Sequence, residues 1–277
     1  MSAALLEARS IVKNYGHVQA LRGADFSVEA GTVVAMVGDN GAGKSTLVKV
    51  LSGIEQPDGG EIRFEGQPVA LASAARAHAL GIETVYQDLA LAPDLDPAAN
   101  LFLGRELLRD GVLGRLGFLD NKRMQQRAEE AFADLGQTTV QQVTVPVASL
   151  SGGQRQSVAV ARASAWASKV VFLDEPTAAL GVVQASKVLD LIRRVRDQGI
   201  AVVLISHSMP QVFDVADRIE VLRLGQRVAR FDPHEADMAD IVGAMTGALE
   251  HGEASTAEPG GSSEQARQRG PSGQEDA

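Results

Sequence analysis

Apolar positions along this chain come in short blocks, and the blocks alternate between two periods. Residues 33–37 read VVAMV, five apolar residues in a row, as a strand buried on both faces requires. Further strand-like blocks follow at Ile82–Tyr86, Lys169–Leu173 and Ile200–Ile205. Between them the spacing turns helical: a helix opens near Lys44, one runs from Ser73 to Leu80 before Gly81, and one from Gln154 to Ala167. In the last, Val158, Ala161 and Ala165 share a face, with Trp166 as packing; a fourth helix spans 182–198 and closes at Gly199. Strands alternating with helices predict an α/β domain built on a mainly parallel sheet.

The flanking segments differ in kind. Residues 5–12 and 24–37 read as strands with turns at 14–16 and 30–31, and 61–68 as a hairpin, which together predict an N-terminal antiparallel β subdomain. From Asp88 to Leu150 the pattern is mostly helical. Pro93 and Pro97 bracket a loop, Ala98–Leu108 is helical, and Gly111, Gly114 and Gly117 interrupt it. Asp120 then caps a helix running to Leu135, with Gly136 as its stop. Late in the chain, Arg218–Arg223 and Gln226–Phe231 read as strands and 233–245 as a small helix. The expected organisation is one domain over 5–250. Its core, with the β subdomain, uses 5–87 and 151–250, and a helical subdomain uses 88–150. From His251 the chain is Gly, Ser, Pro, Gln and Glu, so 251–277 reads as a disordered tail.

The turn after the first buried strand carries chemistry. Gly38, Asp39, Asn40, Gly41, Ala42, Gly43, Lys44, Ser45 and Thr46 fit G-x-x-x-x-G-K-[ST] at every fixed position. Glycines let successive N–H groups point inward as an anion nest, and the following helix adds its positive end. Lys44 supplies a charge to the β- and γ-phosphates of a nucleoside triphosphate, and the Ser45 hydroxyl suits Mg²⁺. Strand 169–173 delivers Asp174 and Glu175 at its carboxyl end, where parallel sheets hold ligands. Asp174 suits direct or indirect support of Mg²⁺, and Glu175 suits orienting or deprotonating an attacking water. His207 follows the next strand, either as a structural imidazole or as a γ-phosphate contact. Tyr15 either packs or offers a flat face to an adenine ring, and Gln87 taken alone is a surface residue. Ser151, Gly152, Gly153 and Gln154 open a helix, equally as an N-cap and as a second phosphate-binding turn.

Charge and composition narrow the partners. The formal net charge is −9; residues 251–277 carry −3 of it and the rest −6, which argues against a protein that lives on nucleic acid. There is no cysteine, so neither disulfide nor thiolate chemistry is available. The N-terminus lacks the basic and apolar regions of a secretory signal, and no run approaches 18 apolar residues. Any membrane role must then come through a partner.

GDNGAGKST at 38–46, Gln87, LSGGQ at 150–154, VVFLDEP at 170–176 and SH at 206–207 stand in the order and spacing of the ATP-binding cassette family, which this chain resembles over residues 5–245. The resemblance implies a P-loop NTPase core and two chains meeting head to tail around two ATP molecules. Each ATP would lie between the phosphate loop of one chain and Ser151, Gly152 and Gly153 of the other. It makes Tyr15 similar to the adenine-stacking aromatic and Gln87 to the residue linking Mg²⁺ with the membrane subunit. Glu175 then resembles the catalytic carboxylate and His207 the switch histidine. One position departs: where the family usually reads S-A-L-D, this chain has Ala178-Ala179-Leu180-Gly181, which removes the Asp that supports the opposite site. EPTAALG and NLFLGRE at 100–106 resemble bacterial monosaccharide importers, of the single-cassette, fructose-like arrangement.

The expected function is therefore an ATPase on the cytoplasmic face of the inner membrane. It would power a permease for a sugar such as fructose or ribose, served indirectly by a periplasmic binding protein. The competing readings are an importer ATPase for another substrate and a soluble cassette working on nucleic acid or the ribosome. The latter usually resemble fused pairs or carry long coiled-coil insertions, which this chain lacks.

Overall fold

The structure is a computed structural model that describes residues 4–134, 144–178 and 180–248. Its strands are β1 (Leu6–Tyr15), β2 (Val18–Val28), β3 (Val33–Val37), β4 (Gly59–Phe64), β5 (Gln67–Pro68), β6 (Ile82–Val85), β7 (Val170–Asp174), β8 (Ala201–Ile205), β9 (Arg218–Arg223) and β10 (Gln226–Phe231). Its helices are α1 (Lys44–Leu51), α2 (Ala74–Ala79), α3 (Pro97–Leu101), α4 (Val112–Arg115), α5 (Asn121–Asp134), α6 (Gly152–Trp166), α7 (Val182–Asp197), α8 (Met209–Val215) and α9 (Met238–Thr246).

Two sheets organise them. An antiparallel sheet runs β2-β1-β4-β5, and a six-stranded sheet runs β10-β9-β3-β8-β7-β6, parallel from β9 to β6 with β10 antiparallel at one edge. Both faces of the large sheet are covered, which is why its central strands read as unbroken apolar runs. Val34, Met36, Phe172, Val203 and Ile205 pack with α1 and the antiparallel sheet, while Val171, Leu173, Val202 and Leu204 face α6 and α7. A third cluster joins Ala35, Val37, Ile219 and Val221 to α8 and α9. Within the large sheet Glu220, a fully buried carboxylate, lies within 3.4 Å of the guanidinium groups of Arg218, Arg227 and Arg230. Arg218 and Arg230 reach across to Ser27 of β2 at 3.3 and 3.1 Å, which ties the two sheets. Arg218 also meets Glu29 at 2.7 Å.

Several elements differ from their sequence reading, each for a local reason. The 24–37 strand is two: β2 extends back to Val18 because a long hairpin with β1 satisfies its backbone, and the turn at Gly31 separates it from β3. Tyr15 is accordingly the last residue of β1 rather than a turn residue. The helix expected over Ala98–Leu108 stops at Leu101. Gly104, at φ +76°, redirects the chain, Arg105 N–H closes a turn onto Phe102 O at 2.7 Å, and Leu108 bridges to Leu119. The helix expected from 233 begins at Met238, where the Asp237 carboxylate accepts from Ala239 N–H at 3.3 Å. Helix α8 went unread because it is a single short stretch, although Pro210 near its start is a helix-opening signal. Asp120 does cap α5, accepting from Arg123 N–H at 3.1 Å. Leu135, Gly136 and the 251–277 tail lie outside the described residues.

Candidate active site

Between β3 and α1 the backbone folds into a tight loop. Gly38 sits at φ +152°, where a Cβ would lie 2.2 Å from the carbonyl oxygen of Leu222 on β9. No side chain fits there. Gly43, at φ +103°, caps α1, and a Cβ on it would come within 2.9 Å of Ala20 O. These two glycines let the loop bend back beneath itself. Lys44 fills the interior: it is buried, and its ammonium donates to Gly38 O at 2.7 Å and to Asp39 O at 3.0 Å. Burial lowers its pKa, opposed by the carboxylates of Glu175, Asp174 and Asp39. Asp39, Asn40 and Gly41 form the exposed crest, whereas Ala42 is buried below it.

Strand register brings the acids to the same edge. Asp174 pairs with Ile205, and Leu173 pairs with both Leu204 and Val85, so the carboxyl ends of β6, β7 and β8 lie side by side. The Ser45 hydroxyl donates to the Asp174 carboxylate at 3.5 Å, joining the start of α1 to the end of β7. Burial pushes the Asp174 carboxyl up, against Ser45, Lys44, His207 and Lys49, which favour its charged form. Glu175 takes φ +54°, a left-handed conformation that costs a non-glycine residue on the order of 1 kcal/mol. Its N–H donates to Ile205 O at 3.0 Å, which continues the ladder one step past the strand. In that pose Glu175 Oε1 lies 2.9 Å from His207 Nε2. The Thr177 hydroxyl donates to Gln211 on α8 and so fixes the turn behind Glu175.

Gln87 is exposed just beyond β6, in a turn closed by Leu89 N–H onto Tyr86 O at 2.9 Å. Tyr15 stays 41% exposed, with Lys13 Nζ 5.6 Å from its ring centroid, so its face is presented rather than buried in the core. Phosphate loop, Ser45, Thr46, Gln87, Asp174, Glu175 and His207 thus share one edge of the sheet.

Ser151–Gln154 belong elsewhere. Ser151 Oγ accepts from Gln154 N–H at 3.3 Å and Gln154 Oε1 accepts from Ser151 N–H at 2.9 Å, a capping box that realises the N-cap reading. Gly152 packs against Leu180, and Gly153 packs so closely on Gln184 that a Cβ would meet its Cγ at 2.9 Å. Beside them Val182 and Val183 are 88% and 67% exposed. Trp166 serves packing as expected: its Nε1–H donates to Leu101 O at 2.8 Å and its ring stands edge-on to Phe102.

Pattern reading passed over Thr177, Gln211 and Arg162. Thr177 and Gln211 meet only once the sheet forms. Arg162 leaves a trace, a cation set among the small and apolar residues 158–166.

The sequence pattern of the ABC transporter family matches residues 21–178. The chain is 52% identical to a fructose import ATP-binding protein of Rhizobium meliloti over 89% of itself and 95% of that protein. It is 45% identical to a xylose/arabinose import ATP-binding protein of Sulfolobus acidocaldarius, over 87% and 94%. A ribose import ATP-binding protein of Burkholderia thailandensis is 41% identical over 89% of the chain but only 48% of that relative. Among solved structures, a nucleotide-free ATP-binding cassette superposes with a TM-score of 0.70 at 26% identity, covering 83% of this chain and 92% of that one. The fold, the phosphate loop with its facing carboxylates and these likenesses agree: the chain belongs to the ABC transporter family and is one of its ATP-binding cassettes.

Proposed function

We propose that this chain is the ATP-hydrolysing subunit of a monosaccharide importer. The observation that carries the reading is the convergence, at one sheet edge, of a buried loop lysine, a Ser45–Asp174 pair and a Glu175–His207 pair. That set has the parts that phosphoryl transfer to water needs. The phosphate loop with Lys44 cradles the β- and γ-phosphates, and Tyr15 offers its exposed ring to the base. The donor set fits Mg²⁺: a hydroxyl and a carboxylate 3.5 Å apart, with the Gln87 amide at the neighbouring strand end, are hard oxygen ligands that leave room for phosphate oxygens. When bound, Mg²⁺ neutralises charge developing on the phosphates. Glu175 accepts a proton from a water whose oxygen bonds to the γ-phosphorus as the bond to the bridging oxygen breaks and ADP leaves. His207 holds the Glu175 carboxylate in place and reaches toward the γ-phosphate.

A second copy of the chain completes the site. Ser151, Gly152 and Gly153 are presented on a surface continuous with the exposed Val182 and Val183, a patch that suits burial against a partner. Head-to-tail pairing would set this helix start over the partner's triphosphate. Permease contact falls to the helical subdomain over 88–150, where Leu103, Val112, Leu113, Leu116 and Phe118 are exposed. Among the described residues no helix is long and apolar enough to cross a membrane. The chain would then sit peripherally on the cytoplasmic face, with a periplasmic sugar-binding protein acting through the permease. The monosaccharide is supported by the fructose, xylose/arabinose and ribose import relatives.

The test is reconstitution of the chain with its permease in vesicles. ATP-dependent sugar uptake that Glu175→Gln abolishes is the expected result; ATP turnover with no permease association would remove the transport role.

A further inference from the structure

Helix α6 is capped by Ser151 and, about three turns later, carries Arg162 on a partly buried side. The Arg162 guanidinium reaches out of its own helix. One terminal nitrogen donates to Ala90 O at 2.7 Å and the other to Leu89 O at 3.0 Å. Those carbonyls belong to the turn that follows Gln87, and both residues are strained: Leu89 sits at φ +60° and Ala90 at φ +44°. Two consecutive non-glycine residues in that conformation need an outside hold, and the fork of Arg162 supplies one. Burial lowers its pKa, Glu83 on β6 opposes that and Arg105 adds to it. Glu83 in turn is buried against Arg105 at 2.7 Å and His78 Nδ1 at 3.0 Å, while Arg105 stacks 4.7 Å from the Trp166 ring at the end of α6. The same helix is therefore stitched to the Gln87 turn in its middle and to the segment after α3 at its end.

We propose that Arg162 is a positioning residue for hydrolysis: by gripping the carbonyls of Leu89 and Ala90 it locks the Gln87 turn to the helix that presents Ser151, so that the two move as one body. The inference rests on the reading of Gln87 and Ser151 as nucleotide contacts. It joins the metal-side contact of one site to the helix tip offered to the other, through one side chain inside one chain. A lysine keeps the charge but lacks the planar fork, and cannot hold two carbonyls in fixed geometry.

Arg162→Lys and Arg162→Ala, each in the full chain, are compared with wild type by nucleotide binding, by kcat and KM for ATP, and by hydrogen exchange at amides 87–91. Arg162→Lys should fold, bind ATP within about twofold of wild type because Lys44 is untouched, lose about tenfold in kcat with KM unchanged, and exchange faster at 87–91. Arg162→Ala should lose more. Unchanged kcat and exchange in Arg162→Lys would overturn the proposal. So would binding and turnover that fall together with the folded fraction, or both variants failing to fold, since each marks a purely structural role. A wild-type chain that neither binds nor hydrolyses ATP would sink the reading of the site instead; the exchange comparison would still decide the grip.

Discussion

The two helix starts proposed to meet phosphate are built in opposite ways. At α1 the loop closes on its own lysine: Gly38 is pressed against Leu222, Lys44 is 6% exposed, and the neighbouring acids come from strands already paired in the sheet. At α6 the start is open. Ser151 and Gly152 are exposed, and their neighbours Val182 and Val183 place apolar surface in water rather than in a core. The first is a gripping element closed within one chain, and the second has the form of half an interface. A single chain should thus grip nucleotide alone but hydrolyse it only with a partner.

Glu175→Gln should break this comparison most visibly. Removing the proposed base leaves the phosphate loop intact, so binding should persist while turnover falls by about 10²-fold or more. The accumulated ATP should hold two copies together, which light scattering with and without ATP would register; wild-type turnover would remove Glu175 from its role. Lys44→Ala acts on the other half. It deletes the buried cation and its bonds to Gly38 O and Asp39 O, and nucleotide affinity should weaken by about tenfold or more, read by titration calorimetry. If that variant bound ATP normally, the closed loop would not be the gripping element.

That contrast was unequally legible in the sequence. The phosphate loop could be read because its chemistry is local: nine consecutive residues with a strand before and a helix after. Glu175 and His207 could be picked as strand-end residues, but their 2.9 Å pairing depends on β7 and β8 lying side by side, and strand order is not written in local pattern. Ser151 was legible as a helix start and ambiguous in role, since a capping box and a phosphate-binding turn use the same residue types. The packing of Gln184 on Gly153 and the reach of Arg162 to residues 89–90 are contacts between distant segments, and nothing near either residue announces them. Boundaries were misread where one turn overrode helical spacing, as Gly104 did beyond α3.

The open half can be probed without touching the closed one. In a Glu175→Gln background, Val182→Asp with Val183→Asp should leave nucleotide binding unchanged and weaken ATP-dependent association by about tenfold or more, because burying either valine is worth about 1.5 kcal/mol or more and an aspartate resists burial. Sedimentation with ATP present measures it. Full-strength dimers would move the interface away from the start of α7.

Gly181→Asp gives the smallest effect and the sharpest distinction. Gly181 is the N-cap of α7 with extended backbone, at φ −70° and ψ 163°, and makes no side-chain cap hydrogen bond. A Cβ there would meet only the end of the Gln184 side chain, Oε1 at 2.8 Å and Cδ at 3.8 Å, which is flexible and can swing aside. An aspartate should therefore be accommodated, accept a backbone N–H of the first turn and interact with the helix dipole, for a few tenths of a kcal/mol over glycine. The thermal midpoint should rise by about 1 °C in the isolated chain, whether or not a second copy is present. If the same substitution also makes ATP turnover more steeply dependent on ATP concentration, the added carboxylate is felt by the partner's site. That change cannot come from capping, because a cap acts within its own chain; it would locate position 181 at the seam between the closed half-site of one copy and the open half-site of the other.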